Sequence, residues 1–276
     1  MGGYTYSTYW KDLHARHRGA LTAVGYNRLG EGFNRASYKL RRRAVLRLLG
    51  RHPELRPGKL LEAAVGVGAY AEVWRRMGVG EWHGLDISAE AVAYCRTRFP
   101  EGRFHVQDLA AGRWTAAFGT DEEFDLVTAI DVLYHLVEDG DFAEALQQLQ
   151  RRLRPGGGLL VSDVFGQEDH RVASHVKRRS LKSYQRVLGE SLRLADRESV
   201  FAILGDPFPR PGRRMDWLLS KGWNGLALTL LNTPRSFRNA AGAAAVHAAW
   251  PLDAGLRALG LSRGLNLELA LFLKRI

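Results

Sequence analysis

The sequence predicts an α/β fold, in which a mostly parallel sheet carries helices on both faces. From residue 59 to residue 164, short apolar runs rich in Val, Leu and Ile alternate with longer segments of helical period. Two further apolar runs lie near the C-terminus and complete a set of seven predicted strands. An alternation of strands and helices of this kind is typical of a parallel sheet whose crossover helices cover both of its faces.

The central elements follow one another in a regular order. Apolar residues at helical spacing and a final Gly predict a helix over 34–50, and the loop 52–58, marked by Pro and Gly, separates it from the sheet. The predicted strands are 59–64, 81–86, 103–107, 124–130 and 158–164, and the predicted helices between them are 69–77, 88–98 and 141–153. The run Arg154-Pro155-Gly156-Gly157-Gly158 predicts the break between the last helix and its strand.

The two flanks do not follow this alternation. Residues 1–32 contain aromatic residues and Gly without a clean period and predict an arm of short helices. Residues 171–190 predict a basic helix, and 192–204 and 265–274 predict strands that pair antiparallel at the sheet edge. The segment 206–262 is too long for a structureless loop in a compact domain, so it predicts an inserted helical cap. The domain boundaries expected are 1–50 for an N-terminal helical arm or lid, 51–170 for the core, and 171–276 for sheet completion with the cap on the substrate side.

Composition limits the class of protein. The chain has 276 residues, of which 46% are hydrophobic and 25% charged, values ordinary for a globular protein. No apolar run reaches the roughly 18 residues that a membrane-spanning helix needs, and the N-terminus lacks the apolar segment of a secretory signal. The single cysteine, Cys95, excludes an internal disulfide and a cysteine-based zinc site. These features predict a cytoplasmic setting.

The net charge of +11 is unevenly distributed. Residues 1–50 carry +8, residues 51–150 carry −8, and residues 151–276 carry +11. One interpretation is an Arg-rich composition with solvated helix faces. The other is that the basic flanks build the substrate side and face an anionic acceptor or surface.

Acidic residues end three successive predicted strands. Glu62 precedes the small-residue turn Ala63-Ala64-Val65-Gly66-Val67-Gly68, Asp86 ends the next strand, and Asp108 ends the third. The carboxyl ends of parallel strands meet in one crevice, so these three acids are expected to form a site. Small residues let a backbone approach a nucleoside, and an acid after the second strand accepts hydrogen bonds from ribose hydroxyls. Ser88 is expected to cap the following helix.

In this order the segments resemble the class I S-adenosylmethionine-dependent methyltransferases, closely over 34–164 and loosely in the last strands. The stretch Phe124–Leu136 with Leu153-Arg154-Pro155-Gly156-Gly157 is typical of small-molecule methyltransferases. The resemblance implies a Rossmann-like fold, S-adenosylmethionine as cofactor and S-adenosylhomocysteine as product. The cofactor contacts that it implies are Tyr38, Arg42, Glu62, Ala64, Gly66, Gly68, Asp86, Ile87, Asp108, Leu109 and Asp131.

Individual roles follow from the same resemblance. Glu62 would contact the methionine amino end, Asp86 both ribose hydroxyls, and Asp108 the adenine amino group, with Leu109 donating through its backbone. The family usually has Gly at the position of Ala64. A methyl group is tolerable there if the turn keeps φ negative.

His135 follows the fourth predicted strand, where a methyl group would be presented. A hydroxyl nucleophile needs a base near neutrality, and His135 is the candidate general base, with Asp131 orienting it or lining the methionine pocket. The alternative is that His135 orders its loop through a backbone hydrogen bond. No metal is expected, although Asp131, His135, Asp163 and His170 could together hold a divalent ion in a metal-assisted variant.

The flanks also resemble a group of methyltransferases associated with polysaccharide or glycoconjugate assembly. The segments that carry this resemblance are Val24–Gly30, Phe33-Asn34, Tyr38–Arg42, His175–Leu181 with Tyr184, Val200–Leu204 and Asp206-Pro207. It implies that Tyr38 and Arg42 close over the cofactor, and that the acceptor is faced by His175, Arg179 and Tyr184. The alternative interpretation is that these residues belong to a solvated basic helix, in which Tyr is the apolar anchor.

Aromatic residues suit the acceptor side. The arm Tyr4–Trp10 could fold over the acceptor through Tyr9 and Trp10, and Tyr134 could shape the pocket. Aromatic faces stack on sugar rings and on flat metabolites alike, or they pack on the core.

The leading functional hypothesis is O-methylation of a hydroxyl on a sugar, glycoconjugate or related small metabolite. The alternatives are tailoring of an aromatic or polyketide product, modification of nucleic acid, and a non-catalytic binding or membrane-surface role. The chain lacks the Asn/Asp-Pro-Pro-Tyr/Phe tetrapeptide of amino-methylating nucleic-acid enzymes and any recognised nucleic-acid module, so no nucleic-acid partner is expected. Trp217 and Trp223 beside Arg213, Arg214 and Lys221 suggest peripheral contact with a membrane surface. The oligomeric state is left open.

Overall fold

The computed structural model describes residues 5–55, 57–112, 114, 122–210 and 212–276. Residues 1–4 of the predicted arm, residue 56 of the loop 52–58 and residue 211 of the predicted insertion lie outside them. The helices are α1 (Tyr6–Arg16), α2 (Gly30–Gly50), α3 (Ala71–Met77), α4 (Ala89–Arg98), α5 (Asp139–Arg151), α6 (Leu181–Leu188), α7 (Arg214–Asn232) and α8 (Arg235–Ala258). The strands are β1 (Lys59–Ala63), β2 (Glu81–Asp86), β3 (Arg103–Val106), β4 (Phe124–Ala129), β5 (Leu153–Asp163), β6 (His170–Ala173), β7 (Val176–Arg178), β8 (Leu192–Ser199) and β9 (Glu268–Lys274). Short 3₁₀ turns cover Leu21–Ala23, Leu133–His135 and Gly189–Ser191.

The main sheet has seven strands in the order β3-β2-β1-β4-β5-β9-β8. The strands from β3 to β5 pair in parallel, and β9 runs antiparallel to both of its neighbours, β5 and β8. The predicted seven-stranded, mostly parallel sheet is therefore confirmed. The last two strands pair antiparallel as expected, with β9 inserted between β5 and the edge strand β8.

Alternate residues of each strand point to opposite faces of the sheet, and each face has its own core. Leu60 and Leu126 join the core beneath α2, α3 and α4, which also takes in residues of α7 and α8. Their neighbours Leu61 and Val127 join the core beneath α5 and α6. Helices thus cover both faces, as the alternation of the sequence predicts.

The predicted basic helix over 171–190 is wrong in its first half. Residues His170–Ala173 and Val176–Arg178 pair as a small antiparallel hairpin, and the helix α6 starts only at Leu181. Its start is set by Ser180, whose hydroxyl accepts the Ser183 backbone N–H, while Asp169 accepts the Ser180 backbone N–H at 2.8 Å. Ser180 is an N-cap of ordinary type, and this was the signal in the sequence that the helix begins there.

Strand boundaries also differ from the predicted ones at two places. The strand expected over 192–204 ends at Ser199, because the backbone N–H groups of Ala202, Ile203 and Leu204 all donate to one carboxylate oxygen of buried Asp253. Backbone donors satisfied by a side chain are not available to a strand ladder. At the other place, β5 begins at Leu153, so the predicted Pro-Gly break lies inside an irregular strand start.

The segment expected as a cap is helical but lies elsewhere. α7 and α8 are long helices, and α8 packs along α2. This contact depends on glycine on both sides: a Cβ at Gly242 would lie 2.9 Å from Phe33 Cβ, and a Cβ at Gly32 would overlap the Asn239 carbonyl group. In the described part of the predicted insertion 206–262, Asp206 alone lines a cavity at the carboxyl ends of the strands, and no residue of α7 or α8 does, so these helices do not form a cap over the site.

Candidate active site

A cleft with about 800 Å³ of empty space opens at the carboxyl ends of the central strands. The predicted cofactor residues that line it are Tyr38, Glu62, Ala64, Gly66, Asp86, Ile87, Asp108, Leu109 and Asp131. The three acids predicted at the strand ends, Glu62, Asp86 and Asp108, thus lie around one cleft, as the parallel topology requires. We call this cleft the first cavity.

Two predicted cofactor residues lie outside the first cavity. Arg42 points away from it, donating to the Ala69 carbonyl at 3.1 Å and pairing with Glu72 at 3.6 Å. Gly68 contacts the core instead, since a Cβ there would overlap the ring of Phe99. Gly68 therefore allows α4 to approach the turn after β1 closely.

Glu62 is buried at the end of β1. The indole N–H groups of Trp74 and Trp82 donate to its Oε2, at 2.7 and 3.0 Å. Burial raises the pKa of Glu62 to about 8, against the lowering effect of the two indole donors. The carboxyl is therefore mostly protonated at neutral pH.

The turn after β1 has the left-handed backbone expected of glycine, but at one position it is built from alanine. Gly66 has φ +54°, and Ala64, where the family usually has Gly, has φ +55°. A negative φ was the condition for tolerating a methyl group at Ala64, and the structure does not meet it. A non-glycine residue in this region costs about 1–2 kcal/mol. The turn keeps the conformation that the glycine form would adopt, at the cost of local strain.

Asp86 is held by the same turn. Its carboxylate accepts the backbone N–H of Gly66 at 2.8 Å and of Ser88 at 2.9 Å, and Ser88 caps α4 as predicted. Burial raises the pKa of Asp86, while His14 and the backbone donors lower it. His14 lines the cavity and is itself buried, which lowers its pKa against the attraction of Asp86.

Helix α1 lies across the first cavity. Tyr6, Trp10 and His14 line it, and their spacing of four residues places them on one face of the helix. The Tyr6 hydroxyl contacts both carboxylate oxygens of Asp108, at 2.9 and 2.8 Å. Tyr6 and His14 were missed by the sequence analysis, although their four-residue spacing with Trp10 was a visible signal.

Asp131 is held by polar contacts from three other elements or turns of the chain. It has φ +59°, and its carboxylate accepts from Arg41 Nε at 3.0 Å and from the Tyr70 hydroxyl at 3.2 Å. Its backbone N–H donates to Ser162 Oγ at 2.7 Å. Arg41 is buried, and the nearby carboxylate raises its pKa against the effect of burial. The basic residue of α2 that reaches this site is thus Arg41, which pairs with Asp131, and not its neighbour Arg42, which was predicted to close over the cofactor.

A second, wider cavity adjoins the first, with about 1060 Å³ of empty space. Trp10, Val24, Asp131 and His135 line both cavities. The predicted acceptor residues that line the second cavity are Tyr9, Trp10, Tyr134 and His175. Arg178, which was not predicted, also lines it, with its guanidinium 3.3 Å from Asp206.

His135 lies where the two cavities meet. Its Nδ1 is 2.9 Å from the His175 carbonyl oxygen, which can only accept, so Nδ1 carries the proton and Nε2 keeps a free lone pair. Burial lowers the pKa of His135 to about 4. Its ring lies edge-on to Trp10, with centroids 4.7 Å apart, and 4.5 Å from Tyr134. His135 is therefore neutral at physiological pH.

Arg179 and Tyr184 were expected to face the acceptor, and the structure places both in the core. The Tyr184 side chain is fully buried and donates to Asp163 at 2.9 Å. The Arg179 guanidinium lies 4.1 Å from the centre of the Phe142 ring and bonds to Asp139 and to carbonyls at the start of α5. Once 170–178 form a hairpin rather than a helix, these side chains turn under α5 instead of into the cleft.

Three residues of the metal alternative, Asp131, His135 and Asp163, line the second cavity, but in the described part of the chain their ligand atoms do not form a group at metal-ligand spacing. Asp163 is buried and accepts from the backbone N–H groups of Val164 and Arg179, besides Tyr184, and burial raises its pKa to about 6. His170 is exposed on the hairpin, against Phe208. In the described ranges, the one group with metal-ligand spacing is Glu81, His83 and Glu122. Glu81 begins β2, whereas the cleft acid Asp86 ends it, and Lys59 already pairs with both Glu81 and Glu122.

The fold and the cleft define a class of protein. A sheet of this order, with acids at the ends of β1, β2 and β3 around one cavity, is that of the class I methyltransferases, and residues 60–157 match the family model described as "Methyltransferase domain". The chain therefore contains a class I S-adenosylmethionine-dependent methyltransferase domain.

Comparison with known proteins supports the same class. Malonyl-[acyl-carrier protein] O-methyltransferase of Enterobacter lignolyticus (strain SCF1) is 31% identical over 126 residues, which are 46% of this chain and 47% of that protein. The matched segment thus spans about half the length of this curated relative.

Two solved structures share the fold. One is a chain in the complex between the Haloferax volcanii Trm112 methyltransferase activator and a methyltransferase, with TM-score 0.53, 15% identity and full coverage of both chains. The other is magnesium protoporphyrin IX methyltransferase from Synechocystis PCC 6803 with bound S-adenosylmethionine, with TM-score 0.51 and 16% identity over 72% of this chain and 92% of that one. At these identities the likeness concerns the fold alone. Among the described helices none is both long and apolar enough to cross a membrane.

Proposed function

We propose that the chain transfers a methyl group from S-adenosylmethionine in the first cavity to a hydroxyl of a sugar, glycoconjugate or related small metabolite in the second. The observation that carries this proposal is the position of His135, which lines both cavities and has its Nδ1 tied to a carbonyl. Its free Nε2 suits a proton acceptor between a methyl donor and an acceptor.

The first cavity fits the cofactor. Asp86 would accept from the ribose hydroxyls and Asp108 from the adenine amino group, while Gly66 lets the backbone lie close to the ligand. Glu62 and Asp131, at the ends of β1 and β4, would hold the methionine end. When bound, the cofactor supplies an electrophilic methyl group on a sulfonium.

The chain's own contribution is positioning and proton removal. Displacement at a methyl group needs the acceptor oxygen in line, and the walls of the second cavity would set its position. His135 would take the hydroxyl proton at Nε2 as the bond to the methyl group forms. A pKa of about 4 makes it a weak base but keeps it fully deprotonated at neutral pH.

The second cavity favours a ring-shaped acceptor. Tyr9, Trp10 and Tyr134 present aromatic surfaces, and Arg178 and Asp206 add polar partners on another wall. Such a mixture suits a hydroxylated sugar, since aromatic faces stack on its ring while polar groups bind its hydroxyls. The same aromatic lining supports the second candidate, a flat aromatic or polyketide acceptor.

The cofactor part of the proposal is tested by titration calorimetry with S-adenosylmethionine and S-adenosylhomocysteine. We expect micromolar binding to the wild type and a loss of at least tenfold in Asp86→Asn, since each hydrogen bond to a charged acceptor is worth about 1.5–3 kcal/mol. Glu168→Gln, an exposed acid outside both cavities, is the matched control and should bind as the wild type does.

An acceptor screen then separates the two candidates. Release of S-adenosylhomocysteine is measured with saccharides and with phenols of similar size. Turnover with saccharides alone supports the leading proposal, and turnover with phenols alone replaces it by the second. Absence of cofactor binding by folded protein would overturn both.

A further inference from the structure

Exposed large apolar side chains concentrate on the helical insertion. Among the described residues ten such side chains are exposed, and seven of them lie between 215 and 259. They are Met215, Trp217, Leu218, Leu228, Phe237, Leu252 and Leu259. Scattered exposed apolar residues are normal, but a concentration of this kind on one segment marks an interaction surface.

On α7, three of these side chains share one face of the helix. Trp217, Leu218 and Leu228 lie within the arc that Arg214 and Lys221 also occupy, at spacings of three, four and seven residues. The opposite face is buried through Trp223, whose ring lies 5.5 Å from Tyr26 and 5.9 Å from Phe33. The outer face is therefore not needed to attach the helix to the domain.

The charge of this surface has a single sign. Between residues 212 and 259 there are two acidic residues, Asp216 and Asp253, and both are buried and paired, with Arg210 and Arg257. Arg213, Arg214, Lys221 and Arg235 are exposed. Lys221 Nζ lies 5.5 Å from the centre of the Trp217 ring, so an exposed cation and an exposed indole stand side by side.

From this arrangement we propose that the outer surface of α7 and α8 docks on an anionic phospholipid bilayer. Indole and aliphatic side chains enter the boundary between headgroups and acyl chains, while Arg and Lys reach phosphate groups through their flexible stems. Each basic residue near an anionic leaflet raises the binding constant about fivefold.

A second copy of the chain is the weaker occupant. A two-fold contact would place the same surface on both sides, so exposed cations would face exposed cations with no exposed acid of the insertion to pair with. A bilayer rich in phosphatidylglycerol supplies the negative charge that this surface lacks. No residue of α7 or α8 lines either cavity, so docking through their outer surface leaves the cleft uncovered by these helices.

The test is sedimentation of the full chain with sucrose-loaded vesicles of phosphatidylcholine, with and without phosphatidylglycerol. We expect binding to the anionic vesicles only, weakened by salt because the headgroup attraction is screened. Trp217→Ser with Leu218→Ser should lower the bound-to-free ratio by about tenfold or more, and Arg214→Glu with Lys221→Glu should do the same. All four side chains are exposed, so the variants should keep the thermal midpoint of the wild type.

Matched controls lie on other surfaces. Lys182→Glu with Arg186→Glu reverses two exposed charges on α6, which packs on the opposite face of the sheet, and Val106→Ser removes an exposed apolar residue from β3. These should bind vesicles as the wild type does. Absence of binding to anionic vesicles, or binding that the α7 variants leave unchanged, overturns the proposal. A dimer in sedimentation velocity that is lost in Trp217→Ser with Leu218→Ser, without vesicle binding, assigns the surface to a second copy instead.

Discussion

At the residue scale, His135 shows how a backbone contact fixes the tautomer of a histidine. The His175 carbonyl at 2.9 Å fixes the tautomer, and burial keeps the ring neutral. The sequence analysis offered two alternatives for this residue, a base and an orderer of its loop. The contact to His175 would serve both, because Nδ1 anchors the loop while Nε2 is left for chemistry.

The base assignment predicts a large loss of turnover in His135→Ala. The rate constant kcat should fall about 10²–10⁴-fold, because a positioned proton acceptor contributes that factor. The dissociation constant of S-adenosylmethionine should stay the same, since the acids that would hold the ribose and adenine are untouched. The measurement is S-adenosylhomocysteine release with the acceptor found in the screen, beside calorimetry with the cofactor.

His170→Ala provides the comparison, because His170 is exposed on β6 and lines neither cavity. It should leave kcat unchanged. If His135→Ala retained the wild-type kcat, the role of His135 would be limited to ordering its loop.

Other residues show which choices the sequence left undecided at this scale. Adjacent positions on a helix point about 100° apart, and only the packing of α2 turns Arg41 rather than Arg42 toward Asp131. Ala64 is a similar case. The sequence shows that alanine stands where the family usually has glycine, but only the fold, which connects β1 to α3, gives this residue a positive φ.

At the element scale, the contact of α2 with α8 holds the insertion on the domain. The two helices approach so closely that Gly32 packs under the Asn239 carbonyl and Gly242 packs on Phe33. Asn239 also accepts the Gly32 backbone N–H at 3.3 Å through its side chain. Small residues at a helix crossing permit this distance, and a larger residue must push the helices apart.

Gly32→Ala should therefore destabilise the protein although alanine favours helices. We expect a loss of about 1–3 kcal/mol in the free energy of unfolding, the usual cost of overpacking, measured by urea denaturation. Amide exchange in α8 should also become faster, because its contact with α2 is loosened.

Gly255→Ala on α8 is the counterpart. It lies in a helix with open space around its Cβ position, so the same substitution should stabilise the protein by up to about 1 kcal/mol. Equal effects of the two substitutions would mean that α8 does not pack on α2 as closely as described.

At the scale of the whole molecule, much of the basic charge is used internally. Arg41, Arg179, Arg210 and Arg257 each pair with an Asp of the folded chain. The net charge of +11 is thus no direct measure of a charged partner. What distinguishes the insertion is that its exposed cations have no exposed acid among residues 212–259.

Stability should depend on pH through Glu62. Its pKa is raised from 4.5 to about 8 by burial, so between these values the folded chain binds a proton that the unfolded chain has lost. The stabilisation is complete below pH 4.5 and is lost as pH rises through about 8. Asp163, raised to about 6, acts in the same direction at lower pH, and His135, lowered to about 4, acts oppositely below pH 6.5.

A comparison with Glu62→Gln isolates the contribution of Glu62, because Asp163 and His135 are present in both proteins and titrate alike in each. From pH 6.5 to 8 the free energy of unfolding should fall by about 2 kcal/mol more in the wild type than in Glu62→Gln, at about 1.4 kcal/mol per pH unit. Urea denaturation at several pH values measures it. Glu168→Gln, which is exposed, should follow the wild type, and parallel curves for Glu62→Gln and the wild type would contradict the raised pKa.

The sequence by itself determined the order of strands and helices and the acids at the strand ends, because hydrophobic periodicity and strand-to-turn boundaries are local properties. Parallel topology then brings Glu62, Asp86 and Asp108 to one cleft. Only the tertiary structure decided that α1 lies across that cleft, that α7 and α8 lie beside α2 instead of over the site, and that Arg179 and Tyr184 are buried. Those outcomes depend on contacts between segments far apart in the chain, and helical or strand period says which face of an element is apolar but not which partner covers it.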